Sequence, residues 1–183
     1  NNIVVVGMGE SPVRGVMTSS GDGVYKSLDA GETWEHIGLE NTKHISQVRI
    51  HPKDPDIMYV AAQGSPYAST QERGVYMTTD GGENWEKVLF VNGFSGVSDL
   101  AMDYNNPRVL YAAFWDHQRL PWYVRSGGNG SGIWKTVDGG KTWNKLEDGL
   151  PNALMGKIGV AVSRANSKVV YAIIESVEGG LYK

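Results

Sequence analysis

Three observations predict an all-β chain folded as a β-propeller sector, with about three and a half four-stranded blades. A twelve-residue segment recurs without gaps. A second apolar–turn–apolar unit lies between its copies. No stretch of helical periodicity interrupts the alternation.

The first segment is Gly23-Val24-Tyr25-Lys26-Ser27-Leu28-Asp29-Ala30-Gly31-Glu32-Thr33-Trp34. Gly74 to Trp85 and Gly132 to Trp143 repeat it, and Gly180-Leu181-Tyr182-Lys183 begins a fourth copy. The aspartates Asp29, Asp80 and Asp138 recur every 50 to 60 residues or so, a period that suits one four-stranded blade. Between them, Ile45–Pro52 and Ile57–Ala62 flank a Lys-Asp-Pro-Asp turn. Val97–Tyr104 and Val109–Ala113 flank an Asn-Asn-Pro-Arg turn, and Ile158–Val162 pairs with Val169–Ile173. Short apolar runs around a polar turn are hairpins of buried strands. With these as strands A and B, and the arms of the recurrent segment as C and D, the chain reads B-C-D, A-B-C-D, A-B-C-D, A-B-C. The expected blades are residues 1–39, 40–91, 92–148 and 149–183.

The pattern Ser/Thr-x-Asp-x-Gly-x-x-Trp has a local logic. The aspartate accepts N–H groups of its own turn, which would otherwise be unpaired. Gly31, Gly82 and Gly140 supply a positive φ. Trp34, Trp85 and Trp143 lie over the hairpin and bury apolar area. The aspartates recur in equivalent positions of every blade, so they point to the rim rather than converge on a centre, and the expectation for them is structural.

These segments resemble the Asp-box, or BNR, repeats of sialidases, sortilin-type propellers and xyloglucanase-like glycoside hydrolases. The longer pattern, including His51-Pro52-Lys53-Asp54-Pro55-Asp56-Ile57-Met58-Tyr59-Val60-Ala61, is most similar to the bacterial sortilin-like and xyloglucanase-like group. The resemblance implies a propeller and an exported location. It leaves activity open, since the motif occurs on propellers of many functions.

Composition narrows the partners. The formal net charge is −3 with no basic block, so the electrostatic footprint of a nucleic-acid binder is missing. There is no cysteine, which excludes disulfides and thiolate metal sites. No apolar run is long enough for a membrane helix. The opening Asn-Asn-Ile-Val-Val-Val lacks the features of a signal peptide and reads as mid-strand, as in a segment of a longer protein. The 24 glycines fit many tight turns. Neither a cofactor motif nor a pair of histidines at metal-ligand spacing is present.

In a four-stranded meander the A–B and C–D turns share one face, and the B–C and D–A connections share the other. The second face differs from blade to blade and is where binding chemistry is expected. Its richest B–C loop runs from Phe114 to Ser131, with Trp115, Asp116, His117, Arg119, Trp122, Tyr123 and Arg125, and a Gly-rich tail that reads as a hinge. Aromatics beside Arg, His and Asp suit a sugar or peptide ligand. The alternative is that Trp115 and Trp122 pack the loop onto its own blade.

A glycoside hydrolase needs two carboxyl groups, and Glu10, Asp99, Asp116 and Glu175 are the candidates, with Asp99 and Asp116 foremost. The arginine set of a sialidase would draw on Arg14, Arg73, Arg119 and Arg125, but the N-terminal Arg-Ile-Pro signature of that family is absent. The expected function is a non-catalytic module binding carbohydrate or peptide through the B–C loops. The alternative is a hydrolase acting on a polysaccharide. An open propeller leaves strand edges free, so self-association is also expected, including the closure of two chains into a ring of about seven blades.

Overall fold

The computed structural model describes residues 2–10 and 18–183. Four antiparallel sheets follow one another along the chain. The first holds β1 (Val4–Gly7), β2 (Val24–Ser27) and β3 (Glu35–His36). A 3-10 turn at Glu40–Thr42 leads to the second: β4 (Ile45–His51), β5 (Asp54–Ala62), β6 (Gly74–Thr78) and β7 (Glu86–Leu89). The third contains β8 (Ser95–Met102), β9 (Leu110–Arg119), β10 (Val124–Ser126), β11 (Gly132–Thr136) and β12 (Asn144–Leu146). The last has β13 (Ile158–Val162), β14 (Val170–Ile174) and β15 (Gly180–Tyr182). Apart from β10, the strands of each sheet pair as a meander in chain order.

One element differs from the sequence reading. The segment after Phe114 reads as a loop, but β9 runs on to Arg119 and β10 folds back on it, with Arg119 opposite Val124 and Gln118 opposite Arg125. Pro121 suits the tight reversal, and the Leu120 N–H donates to the Tyr123 carbonyl at 2.9 Å. The glycine-rich tail is a packed turn. The Gly127 N–H donates to the Asp116 carbonyl, and Ser131 Oγ accepts from the Asp116 N–H, both at 2.9 Å.

The B strands explain why their apolar runs are continuous. Alternate residues of a strand face opposite ways, and in β5 each face meets a different core. Val60 and Ala62 pack with Val24 and Ile45 between sheets one and two. Tyr59 and Ala61 pack with Leu100, Leu110 and Phe114 between sheets two and three. In β9, Leu110, Ala112 and Phe114 join that same core, while Tyr111 and Ala113 join Ile158, Val160 and Ala172 between sheets three and four. A strand buried on both faces reads as a near-continuous apolar run. In β14, Ala172 and Ile174 are buried, but Tyr171 and Ile173 are 40% and 64% exposed, as is Leu181 of β15 at 73%.

Inner strands are also tied across sheets. At a bulge in β4, Ser46 Oγ donates to the Val97 carbonyl of β8 at 2.6 Å. At the equivalent bulge in β8, Ser98 Oγ donates to the Ile158 carbonyl of β13 at 2.7 Å.

Candidate functional site

Each of the three aspartate turns is held by side-chain hydrogen bonds that the carboxylate accepts within its own turn. In the third, Asp138 Oδ1 accepts from Thr136 Oγ1 (2.7 Å) and the Thr142 N–H (2.9 Å), and Oδ2 accepts from Thr142 Oγ1 (2.6 Å). Asp29 and Asp80 repeat the arrangement with Ser27 and Thr33, and with Thr78 and Asn84. These donors hold the carboxylates below their usual range, Asp80 at about 2 and the other two lower still. At Gly82 φ is +103°, and an added Cβ would lie 2.6 Å from Ile37 Cδ1 of the previous sheet. The indoles differ in setting. Trp85 Nε1 donates to the Ile37 carbonyl across the sheet gap (2.7 Å), Trp143 packs in the core between sheets two and three, and Trp34 is 43% exposed.

The opposite face carries the loop cluster in which a site is expected. The β9–β10 hairpin leans on the loop that joins β5 to β6. The Arg119 N–H donates to the Pro66 carbonyl (2.6 Å) and Gln118 Nε2 to the Tyr67 carbonyl (3.2 Å). Tyr67 Oη in turn accepts from the Thr18 N–H at 3.0 Å. The connections of three sheets are thus knitted together.

The hairpin divides its aromatic and charged residues by direction. Trp115 and His117 point inward, 5% and 0% exposed, with rings stacked at 4.0 Å and 11°. Trp115 Nε1 donates to Ser126 Oγ (2.9 Å), and Ser126 Oγ donates to Glu175 Oε2 (2.7 Å). At the tip, Trp122 is 76% exposed and Tyr123 46%. Arg125 sits between these layers, with Nη1 donating to Asp116 Oδ1 at 2.7 Å and its guanidinium 5.1 Å from the centre of the Phe94 ring. Phe94 and Tyr67 are themselves partly exposed.

Beneath the hairpin lies a buried polar knot of Arg73, His117 and Gln63; the sequence reading names Arg73 and His117 as ligand contacts, whereas the structure buries both. Arg73 is completely buried. Nη1 donates to the Phe94 carbonyl (2.8 Å), and Nη2 to the carbonyls of Ser65 and Ala68. Burial lowers its pKa to about 10, against the opposing pull of Asp116. The His117 Nδ1–H donates to the Trp115 carbonyl (3.1 Å), leaving Nε2 to accept from the Gln63 amide (3.4 Å). Burial, and then the Arg73 charge 3.4 Å away, lower the His117 pKa to about 3. The sequence signal for the burial of Arg73 is its place directly before the strand glycine Gly74, where the other copies have Asp22, Ser131 and Gly179.

The carboxylates named from sequence are dispersed. Asp99 Oδ2 accepts from the Val160 N–H and Oδ1 from the Leu100 N–H, both at 2.9 Å. Asp99 stands opposite Ala113, so Asp116 lies three residues further along β9, roughly 10 Å at 3.3–3.4 Å per residue. Glu175 Oε2 accepts from the Lys157 N–H, and Glu10 Oε2 from the Ser19 N–H, both at 2.8 Å. Arg14 falls outside the described residues. Among the described residues no cluster of His, Asp and Glu could hold a metal ion.

Consecutive meander sheets, closed at the rim by aspartate turns, define an Asp-box β-propeller. The family model of sortilin, neurotensin receptor 3, of the Sortilin-Vps10 group, matches residues 22–178, and the chain belongs to that family. It is 28% identical over 144 residues to xyloglucanase Xgh74A of Acetivibrio thermocellus, covering 71% of this chain and 15% of that enzyme. A xyloglucanase of a Paenibacillus species is 25% identical over 174 residues, covering 81% and 16%. Among solved structures, the GH74 enzyme of Niastella koreensis superposes with a TM-score of 0.65 at 20% identity, over 94% of this chain and 23% of that one. The GH74 xyloglucanase of Xanthomonas campestris gives 0.60 at 16% identity, over 93% and 24%. The chain thus spans about a sixth of the length of the curated relatives it matches.

Proposed function

We propose that this propeller sector is a carbohydrate-binding module of an exported protein, and that it engages saccharide through the β9–β10 hairpin without catalysis of its own. The observation that carries this reading is the division of the hairpin. Its tip offers Trp122 and Tyr123 to solvent, while Trp115, His117 and Arg73 anchor its base. Exposed aromatic faces held on a rigid support stack on the apolar faces of sugar rings, and Arg119 and Arg125 beside them orient hydroxyl groups. The relatives named xyloglucanases make a β-glucan such as xyloglucan the first ligand to try.

The same names support a second reading, a hydrolase in which Asp99 or Asp116 serves as a carboxylate. Each of these is already committed to protein donors, which favours binding over catalysis.

Calorimetric titration with xyloglucan oligosaccharides, paired with a reducing-end assay, separates the two. Binding lost in Trp122→Ala, without release of reducing ends by the wild type, supports the module. Hydrolysis that disappears in Asp99→Asn with Asp116→Asn, while binding persists, overturns it in favour of the enzyme.

A further inference from the structure

Neighbouring sheets are tied in two ways. At the rim the tie repeats: Lys26 Nζ donates to the Gly81 carbonyl at 3.0 Å, and Tyr59 Oη donates to the Gly139 carbonyl at 2.9 Å. Both donors belong to the same cross-strand pair of their sheets, with Val5 opposite Lys26 and Met77 opposite Tyr59. On the opposite face, sheets two and three are tied by Arg73, and the other copies have no arginine at that position. A contact that repeats serves the architecture. One made in a single copy, on the face that varies, points to a local task.

Arg73 grips the main chain of two segments that carry exposed aromatics. Nη2 donates to the carbonyls of Ser65 and Ala68, which bracket Tyr67, and Nη1 donates to the carbonyl of Phe94. The planar fork of the guanidinium holds these acceptors within about 8 Å of one another. The two segments also meet directly, where the Thr70 N–H donates to the Gly93 carbonyl at 3.0 Å. An added Cβ at Gly93 would lie 2.1 Å from Ser69 Oγ, so the close approach favours glycine. Tyr67 is 42% exposed and Phe94 36%. They flank the two arms of the hairpin: Gln118 of β9 donates to the Tyr67 carbonyl, and the Arg125 guanidinium of β10 rests 5.1 Å from the centre of the Phe94 ring. Trp122 is three residues from Arg125, a reach of roughly 10 Å along an extended strand. Exposed aromatics therefore stand at the tip of the hairpin and again at its base.

We infer that Tyr67 and Phe94 form a second saccharide subsite at the base of the hairpin, and that Arg73 is the positioning residue that sets it. The inference rests on the reading of the hairpin as a saccharide site. It narrows the ligand to an extended oligosaccharide of several residues, which stacks on Trp122 and Tyr123 at one end and on Tyr67 and Phe94 at the other. Arg73 is completely buried and touches no ligand. It acts through the main chain of the two aromatic segments.

The test is calorimetric titration with linear cello-oligosaccharides from the disaccharide to the hexasaccharide. Affinity of the wild type should rise by about tenfold or more from the shortest to the longest, the equivalent of one or two aromatic contacts. Tyr67→Ala and Phe94→Ala should each remove most of that gain while leaving affinity for the disaccharide unchanged. Arg73→Lys, which keeps the charge but loses the fork, should do the same, with urea midpoints checking that each variant is folded. Hydrogen exchange on the wild type needs no variant: the hexasaccharide, but not the disaccharide, should slow exchange at residues 65–70 and 93–95. Wild-type binding without a gain in length, a gain that survives both aromatic substitutions, or Arg73→Lys weakening short and long ligands alike would overturn the inference alone. Absence of binding at every length would overturn the saccharide reading and this inference with it.

Discussion

Acid should weaken this fold well above the carboxylate range, and His117 is the main reason. The ring is completely buried, stacked on Trp115, with Arg73 Nη1 3.4 Å from Nδ1 and the Gln63 amide at Nε2. The charges facing it are Arg73 and Arg125, which oppose protonation, and Asp116, which favours it. Its pKa falls from 6.5 in a free imidazole to about 3 in the fold. Above pH 6.5 both folded and unfolded chains hold it neutral and stability is independent of pH. Below that, the unfolded chain takes up a proton that the folded chain refuses until about pH 3. Stability then falls by about 1.4 kcal/mol per pH unit, or about 3 kcal/mol between pH 6.5 and pH 4. Burial lowers His44 too, so the wild-type slope is the sum of two residues acting in one direction. The Asp-box carboxylates, held low by their hydrogen bonds, contribute stability that is lost only below about pH 4. The assay is the urea midpoint by tryptophan fluorescence, read at half-unit steps from pH 7.5 to pH 4. His117→Gln should start lower at pH 7.5 but decline less steeply than the wild type. Parallel curves for the two proteins would refute the reasoning.

Three further outcomes follow from the packing. Gly82→Ala places a Cβ against Ile37 at a φ of +103° and should cost about 2 kcal/mol in urea unfolding. Trp122→Ala should leave the urea midpoint within about 0.5 kcal/mol of the wild type, because the indole is 76% exposed, while removing affinity for β-glucan in the calorimeter. The exposed face of Tyr171, Ile173 and Leu181 matches positions buried elsewhere in the repeat, and we propose that it drives self-association. Molar mass by light scattering should rise with concentration, and Ile173→Glu should hold the chain at monomer mass.

The strand succession was legible because each sheet repeats the same solution. Asp29, Asp80 and Asp138 mark the outer turn, and double-sided burial leaves the runs around Tyr59 and Tyr111 with no polar interruption. The β9–β10 hairpin was not legible, since Pro121 and the glycines after Ser126 carry the composition of a loop and its ladder is only three pairs long. Nor could sequence separate Trp115 from Trp122. They are the same residue type seven positions apart, and only the reversal at Pro121 sends one inward and the other to solvent. Arg73 was the hardest to read. A lone arginine in a loop usually signals a solvated cation, whereas here three main-chain carbonyls enclose the guanidinium.

The contact between Lys26 and Gly81, and its counterpart between Tyr59 and Gly139, has an evolutionary consequence. The acceptor is a main-chain carbonyl, which no substitution can remove, and the donor is free to come from either of two facing strands. Either member of the pair can therefore drift to an apolar residue, as Val5 and Met77 stand today, so long as the other keeps its proton. Such redundancy makes neighbouring repeats interchangeable at their seams.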